Sequence, residues 1–239
     1  MLIYAKEIRK WVHEILDNTM NQKKNIWKWI GKIIIEMLTI VFAVSLAVFM
    51  DRQRELSNEQ VEVKEFLTGL RTDLKNDINE MQEDKAIYLT LSKCFAYFAL
   101  EKNYHKDTIK TYEWSLWNTV GLLVNNGRYE GFKASGKMNS IKNVELRNNI
   151  LDLYQETLVA LVNNTNGYIS LKKEFQTLIR KYRKNELEKN DNLSHILQMQ
   201  QIKNYCFHLR YTGEPIRRYD KAIAGSEKII ELINNEYPE

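Results

Sequence analysis

The chain has 239 residues, 44% of them hydrophobic, with only two prolines and nine glycines. The usual breakers of regular structure are scarce, so the composition predicts an all-α protein. The formal charge of +4 is uneven: residues 1–50 carry seven Lys/Arg against four Asp/Glu, and residues 51–239 carry 28 against 27. A duplex-binding domain needs a concentrated basic face, and this balance argues against nucleic acid as a partner.

The first element is a basic amphipathic segment over residues 1–28. Ile8, Trp11, Val12, Ile15 and Leu16 fall at helical spacing, with Lys6, Arg9 and Lys10 beside them. Such a helix lies on an anionic inner leaflet or docks on a partner.

Residues 29–50 predict a transmembrane helix. The eighteen residues from Ile33 to Met50 hold one charge, Glu36, and at helical rise they extend about 27 Å, close to the hydrocarbon thickness of a bilayer. Trp27 and Trp29 precede the run as interfacial anchors, Lys32 can snorkel, and Arg52 closes the far end. The alternative is a core helix hidden all round. The late start and the lack of an A-x-A-like site favour an uncleaved signal anchor over a leader. Residues 1–32 hold seven Lys/Arg and residues 51–70 hold three, which predicts a cytoplasmic N-terminus and a periplasmic C-terminal domain.

Glu36 is the odd residue of the span. Thr39, Ala43 and Ala47 follow it at i+3, i+7 and i+11, a stripe that lets another membrane helix approach. The carboxylate can instead reach the interface and pair with Lys32, one turn away.

From residue 51 to 239 the pattern predicts an antiparallel bundle of long, coiled-coil-like helices. Leu67, Leu70, Leu74, Ile78, Met81, Tyr88, Leu91, Phe95 and Phe98 recur at steps of three, four and seven, a seam for a helix from about 58 to 100. A second helix is predicted over 108–125, stopped by Asn125-Asn126-Gly127. A short helix near 129–135 ends at Gly136, and a long one over 143–183 follows. After a charged connection at 183–192, two helices, 193–211 and 215–235, flank Thr212–Pro215.

Most chemical motifs fail on inspection. Gly131, Gly136 and Lys137 fit the start of a phosphate-binding loop, but Met138 stands where its hydroxyl residue belongs and no strand precedes it. His13, His105, His195 and His208 make no metal-ligand spacing. No cofactor, metal or catalytic set is predicted. Cys94 and Cys206 are the only cysteines; an oxidising compartment would allow one disulfide, while their apolar neighbours suit two buried thiols. Tyr112, Trp114 and Trp117 are candidates for lining a groove or for core packing.

The order of features, with the span around Glu36 and the later segment "YEGFKASGKMNSIKNVELRNNILDLY" (residues 129–154), resembles an uncharacterised Bacteroidota family of single-span helical proteins, a domain of unknown function. Glu36, Ala43 and Ala47 match the family's span. Ala134, Ser135, Gly136, Ile141, Asn143, Leu146 and Arg147 match its second segment. Ile35 and Phe49 depart from it, and the usual Asn-Asn-Trp after the span is missing. The resemblance implies a single-span inner-membrane protein and supplies no activity.

Together these features predict a non-enzymatic assembly or scaffold subunit in the inner membrane. Its expected partners are the lipid bilayer and further copies or other membrane proteins. The alternative is a periplasmic ligand-sensing or ligand-binding bundle that acts through a partner.

Overall fold

A computed structural model describes residues 2–184 and 192–238; within residues 2–28 it describes the backbone and, of the side chains, Trp11 alone. The described residues form helices and connections with no strand, so the chain is all-α. It divides into two compact units, Met1–Asn58 and Glu59–Glu239. Helix α1 (Leu2–Leu100) contributes to both.

In the first unit α1 carries the apolar run. Every residue from 34 to 50 is exposed, including twelve large hydrophobic side chains between Ile34 and Met50. The run is therefore not a core helix of a folded domain. It is long and apolar enough to cross a membrane. The amphipathic face predicted for residues 8–16 and the Trp27 anchor lie outside the described side chains, apart from Trp11, which is exposed.

In the second unit the heptad-like seam becomes the centre of the core. Leu67, Leu70, Leu74, Met81, Tyr88, Leu91, Phe95 and Phe98 are each 1% exposed or less. Burial of such side chains is worth about 1.5–3 kcal/mol each. Around this rod pack α2 (Lys106–Trp117), α3 (Gly127–Ala134), α4 (Val144–Asp152), α5 (Leu158–Tyr182), α6 (Leu193–Gln198), α7 (Gln200–Leu209) and α8 (Gly213–Glu236).

Side-chain contacts give the directions. Arg71 bonds Asn234, and Asp84 and Lys85 meet Tyr219 and Asp220, so α8 runs antiparallel to α1. Ser92 bonds the Arg210 carbonyl and Lys203 the Glu101 carbonyl, so α7 is antiparallel too. Tyr88 meets Tyr168 and Phe95 meets Phe175, so α5 runs parallel to α1.

Several boundaries differ from the sequence expectation. The predicted helix 143–183 is present, but one π turn at Leu153–Thr157 joins α4 to α5. Asn143 caps α4 by accepting a 3.0 Å bond from the Leu146 amide. Helix 193–211 is split at Met199, whose backbone is extended. Helix α8 starts at Gly213, with Pro215 in its first turn, where a missing N–H costs nothing. The largest difference is α2, which stops at Trp117 rather than near residue 125. Most of the charged connection at 183–192 lies outside the described residues.

Candidate functional site

The first unit presents the stripe read from the sequence. Glu36, Thr39, Ala43 and Ala47 fall within an arc of about 80° on α1, and all four are exposed. Thr39 Oγ1 donates 2.8 Å to the Ile35 carbonyl, so this hydroxyl is satisfied along its own helix. No ion pair joins Glu36 to Lys32 among the described residues. Trp29, Lys32 and Arg52 are exposed where interfacial anchors are expected.

In the second unit, the groove candidates do not come together. Tyr112 packs edge-on to Tyr97 and Phe98 in the core. The Trp117 ring takes the guanidinium groups of Arg180 and Arg183 at 5.4 and 5.8 Å. Trp114 is exposed. Cys94 and Cys206 are both fully buried free thiols.

The residues Trp114–Val124 keep a helical apolar spacing, yet residues 118–126 form a non-helical strap. Its carbonyls explain why. Gln176 Nε2 donates to the carbonyls of Leu116 and Trp117, each at 3.0 Å. Lys172 Nζ donates to the Asn118 carbonyl, and Tyr88 Oη donates 2.9 Å to that of Val120. These donors from α1 and α5 take over carbonyls at the end of α2, which would otherwise need a continuing helix. Apolar contacts add to them: Val120 and Leu122 are buried. A Cβ on Gly121 would lie 2.9 Å from Ile169, so this close approach suits glycine. Leu123, at 83% exposure, points the other way.

Lys172 is fully buried, with Nζ 5.5 Å from the centre of the Phe95 ring. Burial lowers its pKa to about 8, opposed by the neighbouring Cys94. Burial raises that of the Cys94 thiol, opposed by Ser115 and Lys172. A cation at the C-terminal end of α2 also complements the helix dipole.

The far end of the strap walls a cavity of about 180 Å³. Val124, Leu158, Val159 and Val162 give it aliphatic sides, and Asn126, Glu130 and Asn163 give it polar ones. Tyr154, from the π turn, completes the lining. This tyrosine is 7% exposed, stacks on Tyr129 with centroids 4.3 Å apart, and has a buried hydroxyl with no hydrogen-bond partner. Burial pushes its pKa up, reinforced by Asp77 and Asp73. Asp77 is itself buried, which raises its carboxyl to about 6, with Glu80 and Asp73 adding to the shift.

A second, open groove of about 390 Å³ lies beside the Gly131–Met138 segment. Gly136 takes the left-handed conformation (φ 74°) after α3, as a helix-ending turn requires. The groove's two cations are paired within the fold: Arg128 with Asp73 at 2.7 Å, and Lys137 with Glu62. A helix precedes this segment rather than a strand, unlike a phosphate-binding loop.

Sequence reasoning missed the strap and the Tyr154 cavity. Among the described residues no group of three His, Cys, Asp or Glu side chains is placed to hold a metal ion. No family model matches the chain, and comparison with curated proteins and with solved structures returns no significant match.

Proposed function

We propose that the chain is a membrane-anchored, non-enzymatic assembly or interaction subunit of a bacterial inner membrane. Residues 29–50 span the bilayer, the N-terminus is cytoplasmic and the bundle periplasmic. The observation that carries this reading is the uncovered run of α1. Twelve large apolar side chains stand in the open between Ile34 and Met50. At 1.5–3 kcal/mol each, covering them is worth roughly 18–36 kcal/mol. A bilayer supplies that cover, and the exposed Trp29, Lys32 and Arg52 suit its interfaces. Lysine and arginine are denser before the span than after it, which supports the orientation. The resemblance to the Bacteroidota single-span family supports the same placement.

The stripe of Glu36, Thr39, Ala43 and Ala47 supports contact with a second membrane helix, either from another copy or from a different protein. The interior polar groups of the bundle support a structural role. Lys172 and Gln176 hold the end of α2, and Tyr219 donates 2.7 Å to Asp84 between α8 and α1.

The experiment is to extract the full chain from membranes in mild detergent and determine its native mass and co-purifying proteins. An oligomer or a stoichiometric partner is expected; a strict monomer with no partner overturns the reading. A C-terminal alkaline phosphatase fusion is expected to be active, and a stable but inactive fusion reverses the topology.

A further inference from the structure

We propose that the strap and the exposed face of α5 form a two-fold contact between copies of this chain, in which Leu123 of each copy enters the cavity beside Val159 of the other. This deepens the assembly reading above, rests on it, and names a second copy as the partner of the bundle.

Charge is spread unevenly over the second unit. Lys, Arg, Asp and Glu make up 28% of the chain, yet none occurs in the fourteen residues from Trp114 to Gly127 or the fifteen from Thr157 to Leu171. Outside the apolar run of α1 these are the two longest uncharged stretches. The fold brings them together. Lys172 and Gln176 hold the carbonyls of Leu116, Trp117 and Asn118, and Gly121 lies against Ile169 and Thr165. Val124 and Asn126 line one cavity with Leu158, Val159, Val162 and Asn163. Val159, Asn163, Asn166 and Ser170 lie on one exposed face of α5, and Leu123 stands out from the strap at 83% exposure. A surface patch depleted of charge, with an aliphatic centre and an amide rim, has the composition of a protein–protein interface.

Three features select a second copy as the occupant. The projecting Leu123 precedes Val124, which walls a cavity of about 180 Å³. At about 30 Å³ per water that is space for roughly six waters, enough for the four carbons of a leucine side chain. A knob beside a hole is self-complementary under a two-fold axis, where each contact occurs twice. The rim is self-complementary too. Asn125, Asn126, Asn163 and Asn166 are exposed, and an amide carries both donor and acceptor, so it can pair with its own kind. The one carboxylate at the cavity, Glu130, has Lys133 at 3.9 Å, so two copies meet without net like charge. The third feature is area. The strip from Val159 to Ser170 is about 17 Å long and 10 Å wide. With a strap of similar width beside it, the patch covers on the order of 350 Å², under half of the roughly 800 Å² per partner of a standard stable interface. That is too little to retain an untethered protein, but it suffices between copies anchored in one membrane, where tethering raises the effective concentration.

The test is cysteine cross-linking of the full chain in bacterial membranes. Cys94 and Cys206 are fully buried, so new surface cysteines react selectively. Two differently tagged copies are co-expressed, one carrying Leu123→Cys and the other Val159→Cys, and treated with a short bismaleimide. A product containing both tags is expected, at least fivefold more abundant than with Glu227→Cys, an exposed position on α8, in both copies. Adding Leu123→Asp to the Val159→Cys copy spoils the second of the two symmetric contacts and leaves the cross-linked one untouched. The yield is then expected to fall at least threefold, with unchanged circular dichroism because the residue is exposed. Cross-linking no greater than at Glu227, an adduct of Leu123→Cys with a different protein in place of the copy, or a yield insensitive to Leu123→Asp would each overturn the proposal. An oligomeric native mass without this cross-link removes this face and leaves the assembly reading standing; a strict monomer ends both.

Discussion

Replacing Lys172 with methionine tests the account of how the strap is held. The ammonium is fully buried, and burial lowers its pKa from an ordinary 10.5 to about 8. This weakening of proton binding corresponds to about 3 kcal/mol. Because the folded state holds this proton less tightly than the unfolded chain, the charged form lowers stability below pH 8. The penalty is relieved as pH rises from 8 towards 10.5, where the unfolded chain binds more protons. Methionine carries no charge at any pH, but it leaves the Asn118 carbonyl without its donor, a loss of about 1–3 kcal/mol. At pH 7 the two effects oppose each other, and the variant is expected within about 2 kcal/mol of the parent. At pH 10 the parent has regained most of this, roughly 2–3 kcal/mol, and the variant is expected to be clearly the weaker protein. The assay is denaturant unfolding of the full chain in detergent, followed by helix content at pH 7 and pH 10. Cys206 and the buried tyrosines titrate in both proteins and cancel, so the difference reports Lys172 together with the Cys94 thiol it acts on. A stability difference that stays constant between the two pH values would refute the assignment of a charged, desolvated lysine at this position.

Three further outcomes are expected. Asp77→Asn removes a buried carboxyl held near pKa 6; a raised acid pKa means stability is lost as pH climbs from about 4 to 6, so the variant should gain up to about 3 kcal/mol at pH 7 and little at pH 4, read from parallel unfolding curves. Gly136→Ala places a Cβ on a residue with φ 74° and should cost about 1–2 kcal/mol, with Gly136→Asn costing less by the same measurement. Glu36→Leu should weaken assembly of the purified protein while membrane insertion, scored by resistance to alkaline carbonate, stays intact; unchanged assembly would favour a carboxylate that only reaches the interface.

How much was legible in the sequence depended on whether the causes were local. The seam from Leu67 to Phe98 is a local period, and its members became the core almost without exception; only Ile78 is partly exposed. Gly136 was readable for the same reason, since a left-handed turn after a short helix needs glycine there. Tyr182 keeps the apolar spacing of the predicted helix 143–183, yet it is exposed as the last residue of α5. The strap was not readable. Trp117, Val120, Leu123 and Val124 keep helical spacing, and what unwinds them is Gln176, Lys172 and Tyr88, remote in sequence. The π turn leaves no mark either, because "LYQET" is an ordinary helical string. The stripe at Glu36 was legible as a pattern because it lies on one uninterrupted helix. The Tyr154 cavity was not, since its lining comes from the strap, α3, the π turn and α5.

The placement of α1 also sets an order of events at birth. The seam that forms the centre of the bundle is made first, while its antiparallel partner α8 is made last: Arg71 waits 163 residues for Asn234. At a synthesis rate of about 5–20 residues per second, that gap is about 8–33 s. During this interval an apolar stripe from Val63 to Phe98 has emerged without its final cover. With the preceding segment inserted as proposed, the nascent chain is tethered at the membrane surface throughout that wait. The tether would limit diffusion of the incomplete bundle and favour encounters with copies or chaperones held at the same surface. Anchoring would then serve the biogenesis of the domain as well as its final address.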